Sequence, residues 1–266
     1  MHSNLTILRK YLYYLATATN GRGHGVHSPF VFDFIIHVLN DKKPKKDYSQ
    51  IESLRKQLLQ QSETIDVIDF GAGSGILKTN KRRIKDIASS SLKPPKYAQL
   101  IHRIVKHYQP KNIIELGTSL GITSLYLAAG NPTGKLYSFE GDPSVCNIAK
   151  QQAVKSGISN IHFHIGEFEQ SFTPFLHSFS EKVHLAFIDG NHRKEPTIRY
   201  FEQLLPFLEN DSILIFDDIH WSEEMESAWK TICASDKITL SIDLFFIGIV
   251  FIKSEFKVKQ HFSIRF

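Results

Sequence analysis

Segments with the apolar pattern of β-strands alternate with helix-like segments between residues 113 and 252, and this alternation limits the fold more than any other feature. Five β-α repeats begin with the apolar runs 113–116, 135–140, 161–165, 183–188 and 212–216. Two later β-rich runs, 238–244 and 247–252, are too close for a parallel crossover and predict an antiparallel hairpin at the C-terminal end. The pattern predicts an α/β fold with a mostly parallel, seven-stranded sheet and helices on both faces.

The first 95 residues have a different pattern and are predicted to form a mainly helical accessory region, with the core in residues 96–266. Residues 1–98 carry 16 Lys and Arg against 8 Asp and Glu, whereas the remainder is slightly acidic. This excess of basic residues in the first 98 positions, called here the basic front, favours anionic partners such as RNA, although ordinary solvated lysines give the same composition. The sequence has two cysteines and no signal-peptide pattern, and none of its apolar runs approaches the roughly 20 residues that cross a bilayer. These features predict a cytoplasmic protein without a membrane partner.

Two glycine-rich turns, at residues 71–75 and 117–121, compete as a nucleotide-binding site. Such a site needs an acidic residue at the end of the following strand, about 20 residues further on. Glu140 ends a predicted strand 23 residues after Gly117, whereas the window after Gly71 is rich in serine and proline. The second turn is therefore the predicted site. The first is predicted to be a structural loop, and a contact with substrate stays open for it.

The second turn departs from a pyrophosphate-binding motif because Ser119 replaces the middle glycine. This leaves less room for a pyrophosphate at the helix N-terminus and disfavours a dehydrogenase. A cationic nucleoside would suit the four carboxylates near predicted strand ends, which are Glu115, Glu140, Asp142 and Glu167. S-adenosylmethionine has a sulfonium and no phosphate, so it is the predicted cofactor.

Four motifs in order resemble those of class I S-adenosylmethionine-dependent methyltransferases. They are IIELGTSLG (113–121), FEGD (139–142), FIDGNH (187–192) and IFDDIH (215–220). Within that class the sequence is most similar to the catechol-type and caffeoyl-CoA-type O-methyltransferases and their small bacterial relatives, over about residues 96–253. The resemblance implies a Rossmann-like fold that closes with an antiparallel hairpin.

The resemblance also implies roles for single residues. Glu140 would bind both ribose hydroxyls, and Asp189 would face the methyl group. The methionine portion would lie against Glu115, Gly117, Thr118, Ser119 and Gly121, and the adenine beside Gly166 and Glu167.

In catechol-type enzymes the residue at the place of Asp189 binds Mg²⁺ with an Asp-Asn pair, which here reads Asp217 and Asp218. Three oxygen ligands suit Mg²⁺, so the resemblance implies a metal site at these carboxylates, with helix capping as the alternative role. The family's lysine base is replaced by His192, and His220 is the competing candidate.

The sequence therefore predicts an S-adenosylmethionine-dependent O-methyltransferase that methylates a small-molecule hydroxyl by in-line transfer. Two alternatives stay open: an RNA methyltransferase that uses the basic front, and a nucleoside-binding protein without catalysis. A homodimer is also left open. The loop with His24 and His27 is a lid, a substrate contact or a packed surface loop.

Overall fold

A computed structural model describes residues 2–41, 43, 46–69 and 78–266, so the turn at 71–75 lies outside the described residues. The chain forms two compact units, called here the first unit (Met1–Lys42 with Glu181–Phe266) and the second unit (Lys43–Ser180). The sequence predicted a boundary after residue 95, between an accessory region and a core. This boundary stays a prediction, because the division into compact units does not test it.

The second unit contains a parallel three-stranded arrangement and a separate β-hairpin. Its helices are α3 (Lys46–Gln60), α4 (Ile84–Ser91), α5 (Pro95–Tyr108), α6 (Ile122–Gly130), α7 (Pro143–Ser156) and α8 (Phe168–Ser178). Its strands are β1 (Thr64–Asp69), β2 (Lys78–Arg83), β3 (Asn112–Leu116), β4 (Lys135–Glu140) and β5 (Ile161–Ile165). Strands β3, β4 and β5 run parallel in that order, and β1 pairs antiparallel with β2.

Local sequence explains where the elements of this unit begin and end. All five residues of β3 are buried, as expected for a strand covered on both faces. Asp142 caps α7 by accepting a hydrogen bond from the Val145 N–H, and Pro143 occupies the first turn, where no N–H is needed. Gly157 ends α7 in the left-handed conformation at φ 71°. The parallel strands consequently end at one edge, where their loops carry the candidate site residues.

The first unit contains strands of both directions. Its helices are α1 (Asn4–Thr17), α2 (Pro29–Phe34, continued by a π-helical turn at Ile35–Leu39), α9 (Lys194–Leu204) and α10 (Glu223–Ala234). Its strands are β6 (Leu185–Ile188), β7 (Ile213–Asp217), β8 (Leu240–Asp243), β9 (Ile247–Phe251) and β10 (Gln260–Ser263), in the spatial order β10-β8-β9-β7-β6. Only β9 is antiparallel to its neighbours β7 and β8.

The predicted fold class is confirmed, with three additions. Among the described residues eight strands, not seven, follow the α/β pattern, because β10 pairs in parallel with β8. The front of the chain also contains the β1–β2 hairpin, whose second strand is strongly basic. Helix α8, whose bounds the sequence did not indicate, follows β5 and contains Pro174.

The predicted loop with His24 and His27 leaves both side chains exposed. Phe30, which follows the loop, packs edge-on against Phe251 with ring centroids 5.1 Å apart. None of the helices in the described part of the chain has the length and apolar character needed to span a membrane.

Replacing Ser222 by alanine should lower the stability of the protein. The Ser222 hydroxyl caps α10 by accepting a hydrogen bond from the Met225 N–H at 3.2 Å, and losing an N-cap costs about 1 kcal/mol. Ser222→Thr retains a capping hydroxyl and should keep most of that stability. Urea unfolding of the two variants tests this, and equal midpoints would contradict it.

Candidate active site

The turn after β3 is held by the end of the neighbouring strand β4. The Phe139 carbonyl accepts hydrogen bonds from the N–H groups of Gly117 (3.0 Å) and Thr118 (3.1 Å). Gly117, Ser119 and Gly121 have positive φ values of 103°, 49° and 83°. A Cβ at Gly121 would lie 2.8 Å from the Ala149 Cβ of α7, so this glycine is required both for conformation and for close packing.

Glu140 connects three loops at the end of β4. One carboxylate oxygen accepts a hydrogen bond from the Ser119 N–H at 2.8 Å, and the other accepts one from the Asp142 N–H at 3.0 Å. The backbone carbonyl of Glu140 accepts a third from the Gly166 N–H at 2.9 Å. Burial raises the pKa of the carboxyl although the backbone hydrogen bonds oppose this. The predicted ribose-binding residue is thus fixed beside the turn that was predicted with it.

Glu115 lies inside the second unit, fully buried. One oxygen accepts hydrogen bonds from the hydroxyls of Ser124 and Ser138, and the other has no hydrogen-bond partner among the described residues. Burial raises the pKa of Glu115 to about 8. The Thr118 hydroxyl lies 2.6 Å from that of Ser138, in the same buried cluster. Glu115 and Thr118 therefore support the turn from its buried side, whereas Gly117 and Ser119 are partly exposed.

The loop after β5 carries the residues predicted to lie near adenine. Gly166 has a φ of 129°, and its carbonyl accepts a hydrogen bond from the Ser171 hydroxyl at 2.9 Å. Glu167 is exposed at the start of α8. Because β4 and β5 are parallel, this loop leaves the same edge as Glu140.

The first unit brings Asp189, His192 and Asp217 together. One potential ligand atom from each lies within 4.8 Å of the others, and the His192 Nε2 is 3.5 Å from an Asp189 oxygen. Asp189 follows β6 and Asp217 ends the parallel strand β7. The loop between Asp189 and His192 holds Asn191 and His192 at φ values of 65° and 36°. This conformation reverses the chain direction, so that the His192 imidazole lies beside the carboxylate of Asp189.

Asp218, predicted as the third metal ligand, is not in this group of described residues. Its backbone adopts a φ of 53°, and its N–H donates to the Phe246 carbonyl at 2.7 Å. It lines a small cavity with His220, Trp221 and Phe245. The structure therefore brings His192 to the place in the carboxylate group that the sequence predicted for Asp218.

His220, the competing base, contacts two carboxylates. Its Nε2 is 2.8 Å from an Asp243 oxygen, and its Nδ1 is 3.3 Å from a Glu226 oxygen. Burial lowers the pKa of His220, but the hydrogen bonds and charges of the two carboxylates outweigh burial and raise it overall. An imidazole held in this way keeps its proton, which fits a proton acceptor poorly.

Comparison with known proteins identifies the fold and a methyltransferase-like segment. Residues 114–219 match the family described as "Methyltransferase domain". This segment of the chain is similar to methyltransferase domains. A catechol O-methyltransferase from Niastella koreensis (strain DSM 17620 / KACC 11465 / NBRC 106392 / GR20-10) is 23% identical over 158 residues, which is 58% of this chain and 69% of that protein.

Solved structures share the fold at low sequence identity. The methyltransferase PaMTH1 from Podospora anserina, solved with SAH, has a TM-score of 0.58 and 11% identity, and the match covers 96% of this chain and 98% of that chain. The O-methyltransferase TomG from Streptomyces achromogenes, solved with SAM, has a TM-score of 0.57 and 15% identity, with 80% and 92% covered. The chain therefore has the Rossmann-like fold that the sequence predicted.

The sequence did not predict the partners of His220. Asp243 is the last residue of β8, which lies in a predicted strand, so its position at a strand end could have marked it as a candidate site residue. Glu226 and Lys10 form an ion pair at 2.6 Å across 216 residues of chain, and no local pattern reveals such a contact.

Replacing Glu115 by glutamine should flatten the pH dependence of stability. The folded-state pKa of about 8 exceeds the ordinary value of 4.5, so folding favours the protonated carboxyl. The associated stability is complete below about pH 4.5 and is lost as the pH rises through about 8, by at most about 1.4 kcal/mol per pH unit. Glu115→Gln removes this titration.

Urea unfolding between pH 5 and pH 9 measures the effect. The matched control is Glu169→Gln, which changes an exposed carboxylate of the same unit and should keep the wild-type slope. A Glu115→Gln protein whose stability falls with pH as steeply as the wild type would contradict the assignment.

Proposed function

We propose that this methyltransferase transfers the methyl group of S-adenosylmethionine to a hydroxyl oxygen of a small molecule by in-line displacement. The observation that carries the proposal is the Glu140 carboxylate, fixed at 2.8 Å from the Ser119 N–H of the Gly117 turn. The SAM and SAH in the solved relatives support the choice of cofactor. The name of the Niastella relative supports a catechol as the first acceptor to test.

The cofactor half of the proposal assigns roles to the second unit. Glu140 would accept hydrogen bonds from the ribose hydroxyls, for which a carboxylate offers two oxygens. Gly117 and Ser119 would approach the methionine portion with their backbone, since they are partly exposed and have positive φ. Gly166 and Glu167 would lie by the adenine. Glu115, Thr118 and Gly121 would hold the turn in shape from its buried side.

The acceptor half assigns roles to the first unit. His192 would take the proton from the acceptor hydroxyl, and Asp189, 3.5 Å from its Nε2, would orient the ring. His220 is the weaker candidate because carboxylates contact both of its nitrogens. In an in-line displacement the acceptor oxygen attacks the methyl carbon opposite the sulfur, and S-adenosylhomocysteine leaves. Fixing that approach supplies up to about 7–11 kcal/mol in favourable cases.

Asp189, His192 and Asp217 also fit a divalent cation, because their three ligand atoms converge within 4.8 Å. A bound cation would lower the pKa of the acceptor hydroxyl and balance the charge of the oxyanion. The two carboxylates suit Mg²⁺, whereas the imidazole nitrogen widens the choice to softer divalent ions. His192 would then act either as ligand or as base.

The other predictions have less support. Two of the three relatives named above are O-methyltransferases by their names, and no contact in the described residues favours RNA or a role without catalysis. The small-molecule acceptor is therefore the partner proposed. The homodimer and the cytoplasmic location remain predictions from the sequence.

Glu140→Ala should weaken S-adenosylmethionine binding by roughly 1.5–3 kcal/mol, the worth of hydrogen bonds to a charged group. Isothermal calorimetry measures the affinity, and unfolding curves check that the variant is folded. Gly71→Val, in the other turn, should leave the affinity nearly unchanged. Wild-type affinity in Glu140→Ala, or a large loss in Gly71→Val, would reverse the choice of turn.

A neighbouring pair of variants tests the cation site. Asp217→Asn should abolish Mg²⁺ or Mn²⁺ binding measured by calorimetry, while Asp218→Asn should retain it, because only Asp217 belongs to the convergent group. A chelator should slow methyl transfer to a catechol by about 100-fold or more in the wild type, a loss of several kcal/mol of charge stabilisation. Equal loss of binding in both variants would restore Asp218 as a ligand.

A further inference from the structure

Helix α1 has an apolar face that nothing in the described part of the chain covers. Its inner side packs within the first unit, where Tyr14 and Ala18 are buried against Phe245. Its outer side carries four large apolar side chains that are 76%, 53%, 57% and 71% exposed, namely Leu5, Leu8, Leu12 and Tyr13, called here the outer stripe. Apolar side chains scattered singly over a surface need no explanation, but a contiguous group of them indicates a binding surface.

The spacing of the outer stripe places its members on one side of the helix. Leu8, Leu12 and Tyr13 follow Leu5 by three, seven and eight residues, which is the period of one helix face. A helix that is apolar on both sides is normally covered on both sides. The first unit covers only the inner side of α1, so the outer side lacks the contact that its sequence indicates.

The charges around α1 are positive. The first 32 residues contain no Asp or Glu, whereas their Lys and Arg residues are Arg9, Lys10 and Arg22. The Arg9 guanidinium has no ion-pair or hydrogen-bond partner among the described residues. Arg265 adds a further cation at the C-terminal end of α1, where its Nε donates to the Ala18 carbonyl at 3.2 Å. An anionic surface complements this arrangement.

The two carboxylates that share a cavity with Arg9 do not cancel its charge. Glu226 pairs with Lys10 at 2.6 Å, and Asp243 lies 2.8 Å from His220. These carboxylates raise the pKa of His220, so its positive charge balances one of them. The lining of the cavity therefore has one positive charge in excess, at Arg9. The volume of about 560 Å³ leaves room for a small anionic headgroup beside the outer stripe.

The outer stripe is too small and too basic to hold a second copy of the chain by itself. A helix of 14 residues is about 21 Å long and about 10 Å wide, so one face offers roughly 200 Å². A specific protein interface buries about 800 Å² on each partner. In a symmetric contact the same patch faces itself, so the acid-free α1 would meet another basic helix. Area and charge both favour a lipid surface over a second copy.

We propose that the outer stripe of α1 docks the protein on a membrane surface that contains anionic phospholipid. The leucines enter the boundary between headgroups and acyl chains, about 5–10 Å deep, and Tyr13 lies at the level of the headgroups. Arg9 pairs with a lipid phosphate. The sequence prediction of no membrane partner rests on the missing long apolar run, which a helix that lies in the plane of the interface does not need.

Vesicle binding tests the docking surface. The partition of the protein is measured by sedimentation with vesicles of phosphatidylcholine alone and of phosphatidylcholine with phosphatidylglycerol. Each unpaired arginine near the surface contributes about fivefold, so wild-type protein should bind the anionic vesicles roughly 10- to 100-fold more tightly than the neutral ones. Arg9→Gln should lower binding to the anionic vesicles about fivefold and leave binding to neutral vesicles unchanged.

A double variant tests the apolar contact. Leu8→Gln with Leu12→Gln should lower binding to both kinds of vesicle by at least about tenfold, because two buried leucine side chains are lost from the lipid. Glutamine is a good helix former and both positions are exposed, so the variant should unfold in urea at the wild-type midpoint.

Two matched controls change the same residue types elsewhere. Val154→Gln replaces an apolar side chain of α7 that is 81% exposed, and Arg82→Gln removes an exposed arginine of β2. Both variants should bind vesicles as the wild type does. An equal loss of binding in Val154→Gln and in the Leu8 and Leu12 double variant would contradict a role for α1.

Sedimentation equilibrium without vesicles distinguishes lipid from a second copy as the occupant. The wild type should be monomeric, and the double variant should sediment in the same way. A wild-type dimer that the double variant dissociates would show that a second copy covers the outer stripe and would overturn the proposal. Absence of wild-type binding to anionic vesicles, or equal binding by the wild type and the double variant, would overturn it as well.

Discussion

The carboxylate of Glu140 is the interaction on which the second unit depends. It lies at the end of β4 and accepts hydrogen bonds from the N–H groups of Ser119 and Asp142, while its own carbonyl accepts one from Gly166. Three loops that leave parallel strands are thereby fixed by one residue. The same carboxylate that would bind ribose therefore also positions the backbone that would surround it, so site geometry and local stability cannot be separated there.

Left-handed backbone marks the strand ends in both units. In the second unit it occurs at Gly117, Ser119, Gly121 and Gly166, and in the first at Asn191, His192, Asp218 and Phe245. Five of these eight positions hold a residue other than glycine, and each such position costs of order 1–3 kcal/mol. Strain of this kind persists only where the surrounding structure enforces it. Its concentration at the strand ends is independent support for placing chemistry there.

Strands β3, β4 and β5 could be predicted to within a residue because their apolar runs are short and bounded by clear stop signals. Asp142 with Pro143 begins α7 and Gly157 ends it, as the sequence indicated. Strand β10 was not foreseen because its sequence, QHFS, has no apolar run and gains its place by pairing with β8. Helix α8 was hidden by Pro174, a residue that usually excludes a helix interior but here follows its first turns.

The grouping of Asp189 with Asp217 follows from strand order, whereas the grouping of His192 with them depends on backbone conformation. Asp217 is the last residue of β7, and the chain leaves the strand at Asp218, where φ is 53°, so the alternation of strand side chains does not place Asp218. The positive φ of His192 turns an imidazole into that place instead, a conformation that residue type alone does not reveal. The exchange has an electrostatic consequence, because two carboxylates with an imidazole repel one another less than three carboxylates would.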